Sequence, residues 1–268
     1  MIVNAGYRGK VGAGAPKFTY TGTYNVRDDG VVELLTSGTL VFLNPAVVDV
    51  FMVGGGSSGA YQVTTNANKY TGGSGGYTRT IKKVPVSKGV QIPVTIGSGG
   101  IRGSNGGSSA FKEFTVNGGT APSNTSSGEG GCGGGAGGWS NRRGGGAGGS
   151  DGSSGAVVDT GSGGKAGSGQ GSTTREFGET TGKLYAGGGG GATFAYSSNP
   201  PAGGAGGDGG GGKGAACGEK SSSANIAGAS GVDNTGGGGG GGGQTTNGNA
   251  WVNPGNGGSG IVCFRAAQ

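Results

Sequence analysis

The sequence predicts an all-β, partly irregular fold: a small antiparallel, jelly-roll-like β-sandwich with a projecting bundle of polyglycine II helices and essentially no α-helix. Three observations lead there. Glycine supplies 77 of the 268 residues, against an average of about 7%, and it comes in runs, the longest being Gly236 to Gly243. Segments rich in β-branched and aromatic residues occupy the first half of the chain and its last few residues. No segment has helical periodicity, and glycine in an α-helix costs about 1 kcal/mol relative to alanine.

Three glycine-rich states compete. Collagen needs glycine at every third position and abundant proline. Only 8 prolines are present, and blocks such as Gly130-Gly131-Cys132-Gly133-Gly134-Gly135 break the triplet. A flexible Gly/Ser linker is the second state. Against it, the runs are interrupted by Trp139, Phe177, Tyr185, Phe194, Tyr196 and Trp251, which disordered spacers lack. The third is the polyglycine II helix, with roughly three residues per turn and no internal hydrogen bonds. Lacking Cβ atoms, such helices can lie side by side and bond N–H to C=O between neighbours, with Cα–H···O contacts in support. Slow amide exchange within Gly236 to Gly243 separates this state from the linker.

Residues 1–17 are small, basic and turn-rich and read as an N-terminal attachment arm or a frayed terminus. Residues 18–127 read mainly as β-sandwich with the first glycine helices. Phe18-Thr19-Tyr20-Thr21 and Thr23-Tyr24-Asn25-Val26 flank Gly22, and Asp28-Asp29-Gly30 signals a hairpin. Strands then fall at 31–35, 39–43 and 47–53, the last running straight into Gly54-Gly55-Gly56. Both states are extended, so that junction is cheap. Strands resume at 77–81, 90–96 and 110–116. Residues 128–258 read as the polyglycine II bundle with its loops. Residues 259–268 hold a closing strand, Ile261-Val262-Cys263-Phe264-Arg265, that returns to the sandwich.

Most of the connectors between glycine blocks pair an aromatic residue with Asn, Ser or Thr. They run from Tyr61 to Tyr70, Trp139 to Arg143, Ser172 to Tyr185, Thr193 to Pro201, Cys217 to Asn234 and Gln244 to Pro254. Adaptable Tyr/Trp and Asn/Ser loops on a rigid scaffold are a binding design. The alternative is that each aromatic caps the end of the glycine bundle. The candidate contact residues are Trp139, Arg142, Arg143, Arg175, Phe177, Tyr185, Tyr196 and Trp251.

Enzymatic chemistry is not expected. Histidine is absent, which removes the commonest general base and metal ligand. GxSxG at 55–59 and 148–152 therefore lacks its partner, and no glycine-lysine pair continues into the Ser or Thr of a P-loop. Glu176 and Glu179 flank no evident cleft. Three cysteines, Cys132, Cys217 and Cys263, are too few for a zinc or disulfide framework; reduced thiols are expected, with a Cys132–Cys217 pair left open. Neither metal nor cofactor is expected. The net charge of +6 comes from scattered basic residues, not the stripe that nucleic acid requires. No apolar run approaches the length of a membrane span, and the amino terminus does not read as a signal peptide.

Val50-Phe51-Met52-Val53-Gly54-Gly55-Gly56, Thr173-Thr174-Arg175-Glu176-Phe177-Gly178-Glu179, Gly182-Lys183-Leu184-Tyr185-Ala186-Gly187-Gly188-Gly189-Gly190 and Gly257-Gly258-Ser259-Gly260-Ile261-Val262 resemble the glycine-rich domain of bacteriophage tail proteins over roughly residues 18–265. In principle the chain is also similar to the polyglycine II tail-fibre-tip adhesins of T-even phages. Its layout is similar to the glycine-rich region of anaplastic lymphoma kinase. The resemblance implies a virion surface protein made in the host cytoplasm. It would be a tail-fibre or tail-tip adhesin that binds a host receptor (glycan, teichoic acid or protein) through distal loops. The implied partner on the particle is a tail or capsid protein engaged by residues 1–17, and a homotrimer is compatible. The alternative is a structural or decoration protein of the virion without receptor binding.

Overall fold

A computed structural model of the chain describes residues 16–61, 70–123, 128–137, 147–148, 174–194, 202–217, 226–244 and 251–268. The first nine strands are β1 (Phe18–Tyr20), β2 (Tyr24–Val26), β3 (Val32–Leu34), β4 (Gly38–Phe42), β5 (Ala46–Val53), β6 (Thr78–Val86), β7 (Gln91–Thr95), β8 (Ser109–Phe111) and β9 (Phe114–Val116). Six two-residue strands follow: β10 (Glu129–Gly130), β11 (Ala147–Gly148), β12 (Thr193–Phe194), β13 (Ala216–Cys217), β14 (Gly243–Gln244) and β15 (Trp251–Val252). The last is β16 (Ile261–Ala266). No α-helix occurs among the described residues.

Two antiparallel five-stranded sheets form a sandwich. Their orders are β1-β4-β7-β8-β9 and β2-β3-β16-β5-β6. The core between them takes Leu40, Phe42, Ile92, Val94 and Phe111 from the first sheet, and Val32, Leu34, Val50, Met52, Val262 and Phe264 from the second. The β2–β3 hairpin turns at Gly30, whose φ of 81° is left-handed and suits glycine. β16 lies between β3 and β5, with Cys263 opposite both Glu33 and Phe51.

Two strands differ from expectation: the one expected at 77–81 runs on to Val86 as β6, and the one expected at 110–116 is broken. Residues 110–116 form a hairpin, β8–β9, in which Phe111 pairs with Phe114 across Lys112-Glu113. The two phenylalanines are three apart, so an unbroken strand would put them on opposite faces. Reversal at the polar pair brings them side by side.

Beyond the sandwich, the glycine segments bond sideways. From residue 54 to residue 60, successive N–H groups donate in a fixed rotation. Gly54, Ser57 and Ala60 donate to the carbonyls of Tyr77, Ser74 and Thr71; Gly55 and Ser58 to those of Gly107 and Ser104; Gly56 and Gly59 to those of Gly258 and Gly255. Three directions recurring every third residue are the signature of a helix with three residues per turn. The same segment accepts from Gly119, Gly100 and Gly239. It therefore has six hydrogen-bonded neighbours, and the packing is hexagonal. Residues 236–243 repeat the scheme: Gly238, Gly239 and Gly240 donate to Gly187, Ser57 and Ala229, and Gly241 returns to the first neighbour at Gly190.

Close approach explains the composition. A Cβ on Gly239 would lie 2.1 Å from the Gly255 carbonyl oxygen, and one on Gly189 would lie 1.9 Å from that of Gly239. The side chains admitted to the interior are small: Ser57, Ser58, Thr71 and Ser74 are buried. Two of them mend the lattice. Ser57 Oγ accepts from the Ser74 N–H at 2.8 Å, and Ser58 Oγ accepts from the Gly103 N–H. Each ordered glycine loses backbone entropy, which the lateral bonds and close packing offset.

The lattice has a direction. Residues 54–60 leave β5 and residues 71–77 return to β6; 236–243 lead outward and 253–260 lead back to β16. Between these, 186–192, 203–207, 211–215 and 226–232 alternate outward and inward, with the near-side turns at 208–210 and 233–235. At the far pole of the sandwich, Leu43 N–H donates to the Lys17 carbonyl and Ala267 N–H to the Val47 carbonyl. The amides of Gly238 to Gly241 are expected to exchange as slowly as those of β5 and β16. Hydrogen exchange resolved by mass spectrometry checks this, and rapid exchange of the tract would mean a coil.

Candidate functional site

The outer end of the lattice is closed by a small apolar cluster: Tyr70, Ala192, Ala215, Cys217 and Val252. Tyr70 stands at its centre, because its carbonyl accepts from Ala192 N–H and its ring occupies the space a Cβ on Gly243 would need. Around it the helix ends are tied by β12 with β13, β14 with β15, and a bridge between Ala216 and Ile226. The connectors 62–69, 195–201, 218–225 and 245–250 are bounded on both sides by residues of this end. Trp251 in β15 belongs here and is half-buried. Trp139, Arg142, Arg143 and Tyr196 lie outside the described residues.

Three other candidates are elsewhere. Residues 174–186, expected as a presented loop, form a strap on the outer face of the second sheet, at the root of the lattice. Arg175 bridges to Leu184, Glu176 N–H donates to the Lys183 carbonyl, and Tyr185 N–H to that of Thr174. A 3-10 turn, Glu176–Gly178, inserts Phe177 beneath it. Phe177 and Tyr185 are 3% and 0% exposed, packed with Phe51, Val53, Ile261 and Cys263. A receptor cannot reach side chains so covered, which removes both from the contact set. Arg175 is half-buried, and its Nη1 donates to the Gly182 carbonyl. The structure therefore does not bring the sequence candidates into one site: Trp251 is at the tip, and Arg175, Phe177 and Tyr185 are at the root.

Electrostatics fastens the strap. The Glu176 carboxylate is buried, pairs with Arg27 Nη1 at 2.8 Å and accepts from the Tyr185 hydroxyl at 3.2 Å. Burial, together with the nearby Cys263 and Glu176, pushes the Tyr185 phenol far above its ordinary value. Arg265 on β16 reaches over the Phe177 ring, 4.2 Å from its centroid, and pairs with Glu179. Its guanidinium also lies 3.8 Å from buried Asp49, which accepts from Lys83 N–H and Lys82 Nζ beside a register shift in β5–β6.

Hydrogen bonding to Arg265 holds the Glu179 carboxyl below the usual carboxylate range. A lowered folded-state pKa stabilises above the unfolded value and is lost as pH falls through the folded one. The strap is therefore expected to loosen below about pH 4, read as a falling Tm, and Glu179→Gln should flatten that acid limb.

Cys132, Cys217 and Cys263 are buried, and none of them forms a disulfide. Burial pushes the Cys217 thiol up to about 12 and that of Cys263 well above its ordinary value, so neither is a nucleophile. Among the described residues no group of three or more His, Cys, Asp or Glu side chains could hold a metal ion.

A β-sandwich continued by a hexagonally packed polyglycine lattice defines a class of glycine-lattice β-proteins. The chain belongs to the glycine-rich domain family, which matches it over residues 36–267. The matched span takes in most of the sandwich as well as the lattice. No curated protein matches the chain.

Proposed function

We propose that the protein is a bacteriophage virion surface protein, a tail-fibre or tail-tip adhesin that binds a host-cell surface receptor through the connectors at the outer end of its lattice. The observation that carries this reading is the direction of the molecule. Lys17 and Ala267 sit at one pole of the sandwich, and four connectors are bounded by residues at the opposite end of the lattice. An arm at 1–17 held by a tail or capsid protein would leave the connectors facing outward. Their Asn, Ser and Thr residues, with Tyr196 in one of the four, suit adaptable contacts, and many copies on one particle give avidity to weak single sites.

Purified, fluorescently labelled protein is expected to bind cells of the host. Replacing 62–69 and 245–250 with Gly/Ser segments of equal length should lower binding at least tenfold at unchanged Tm. Unchanged binding, or labelling of the capsid wall instead of the tail tip in electron micrographs of virions, would overturn the reading.

A further inference from the structure

A second recognition site, away from the outer connectors, lies where the sandwich meets the lattice. The edge strands β6 and β9 of the two sheets open on the same side. Lattice residues 105–108 and 117–120 roof the gap and leave a groove of about 590 Å³. Small-molecule sites fall in the range of about 300–1,000 Å³. The lining is polar: Tyr77, Arg79, Asn105, Ser108, Thr115 and Asn117 carry its chemistry.

The side chains are positioned to donate. Asn105 Oδ1 accepts from Ala121 N–H at 2.8 Å, and the Ser108 hydroxyl lies 3.5 Å from Asn117 Oδ1. With the Asn105 carbonyl oxygen engaged, its NH₂ group remains as a donor, and the Asn117 amide offers both a donor and an acceptor. The Arg79 guanidinium is exposed and lies over the Phe114 ring, 5.4 Å from its centroid, which restrains it at one wall. Tyr77 is half-buried and packed against the main core, its backbone N–H is bonded to the Asn117 carbonyl, and it lines the groove beside Arg79. Arg79 is the one charged side chain among the described lining residues, and the exposed Glu129 stands beyond it next to Thr120, where it adds to burial in raising the Tyr77 phenol.

This inventory matches a ligand that is rich in acceptors, has one flat apolar face and carries a negative group. Hydroxyl and ring oxygens would take the Asn105 and Asn117 amides. A sugar face would lie on Tyr77, and a carboxylate would pair with Arg79 through charge-assisted hydrogen bonds. We propose that the groove binds a saccharide bearing a carboxylate. The site is independent of the outer connectors, so the connector replacements leave it intact.

The test is a titration of the ¹⁵N-labelled full chain with trigalacturonate, with maltotriose and inorganic phosphate as parallel arms. Trigalacturonate is expected to shift the amides of Tyr77, Asn105, Gly106, Asn117 and Gly118. Arg79→Ala should weaken it at least tenfold, and Asn117→Ala severalfold, with the remaining spectrum unchanged. Maltotriose should bind at least tenfold more weakly than trigalacturonate, and phosphate should shift only residues around Arg79. No shift at this groove with trigalacturonate, equal binding of maltotriose, or affinity indifferent to Arg79→Ala would overturn the proposal.

Discussion

Gly239→Ala is expected to cost more than about 3 kcal/mol, at or beyond the upper end of ordinary overpacking, and to leave little soluble folded protein. One added methyl group acts on three neighbours. Gly239 N–H donates to Ser57, its carbonyl accepts from Gly73, and the new Cβ would stand 2.1 Å from the Gly255 oxygen and 2.5 Å from its carbonyl carbon. Those atoms are backbone, held by their own lateral bonds, so none can swing aside as a side-chain tip would. The control is Gly89→Ala. Gly89 has a φ of 75° and no atom within 4 Å of the added Cβ, so only the left-handed backbone is penalised, at about 1 kcal/mol. Thermal unfolding followed by circular dichroism compares the two. Similar small losses would mean that the glycine segments do not pack as described.

Phe177→Ala and Tyr185→Ala are each expected to destabilise by about 3–5 kcal/mol, the usual range for a large aromatic removed from a core. Both rings pack on Phe51, at centroid distances of 6.2 and 5.2 Å. Removing Tyr185 also withdraws a donor from the buried Glu176 carboxylate, a group that is costly to leave under-satisfied. The effect should extend outward, because the strap leads directly into residues 186–192, one of the neighbours of 236–243. Chemical denaturation gives the numbers. Unchanged stability with lost cell binding would return these residues to the contact surface.

The strap shows where reading the residues succeeds and where it stops. The strands of the sandwich were legible because alternation and turn residues agree, as at Asp28-Asp29-Gly30. The all-β class followed from the glycine runs, since an unbranched backbone at that density suits lateral packing better than any α-helix. Residues 172–185 read as a loop because they have no periodicity of their own. Their role is written instead in β5 and β16. Val48, Val50 and Met52 face the main core while Phe51 and Val53 face the strap, and Val262 and Phe264 alternate with Ile261 and Cys263 in the same way. A run that is apolar at every position has both faces buried, so Val50 to Val53 and Ile261 to Phe264 call for a cover on the second face. What no local pattern could supply was which segment provides it, because Arg27 and Glu176 are 149 positions apart. The groove at Tyr77 was invisible for the same reason: its walls come from three separated stretches, 77–79, 105–108 and 115–120, and none carries a motif.

The rotation of N–H donors along residues 54–60 also governs how such a chain can change in length. Deleting one residue would turn everything beyond it by about a third of a revolution, aiming each amide at the wrong neighbour until the next bend. Deleting three would restore the phase and shorten the tract by a single turn. Over evolutionary time, insertions and losses in the glycine tracts should therefore be tolerated in steps of three residues.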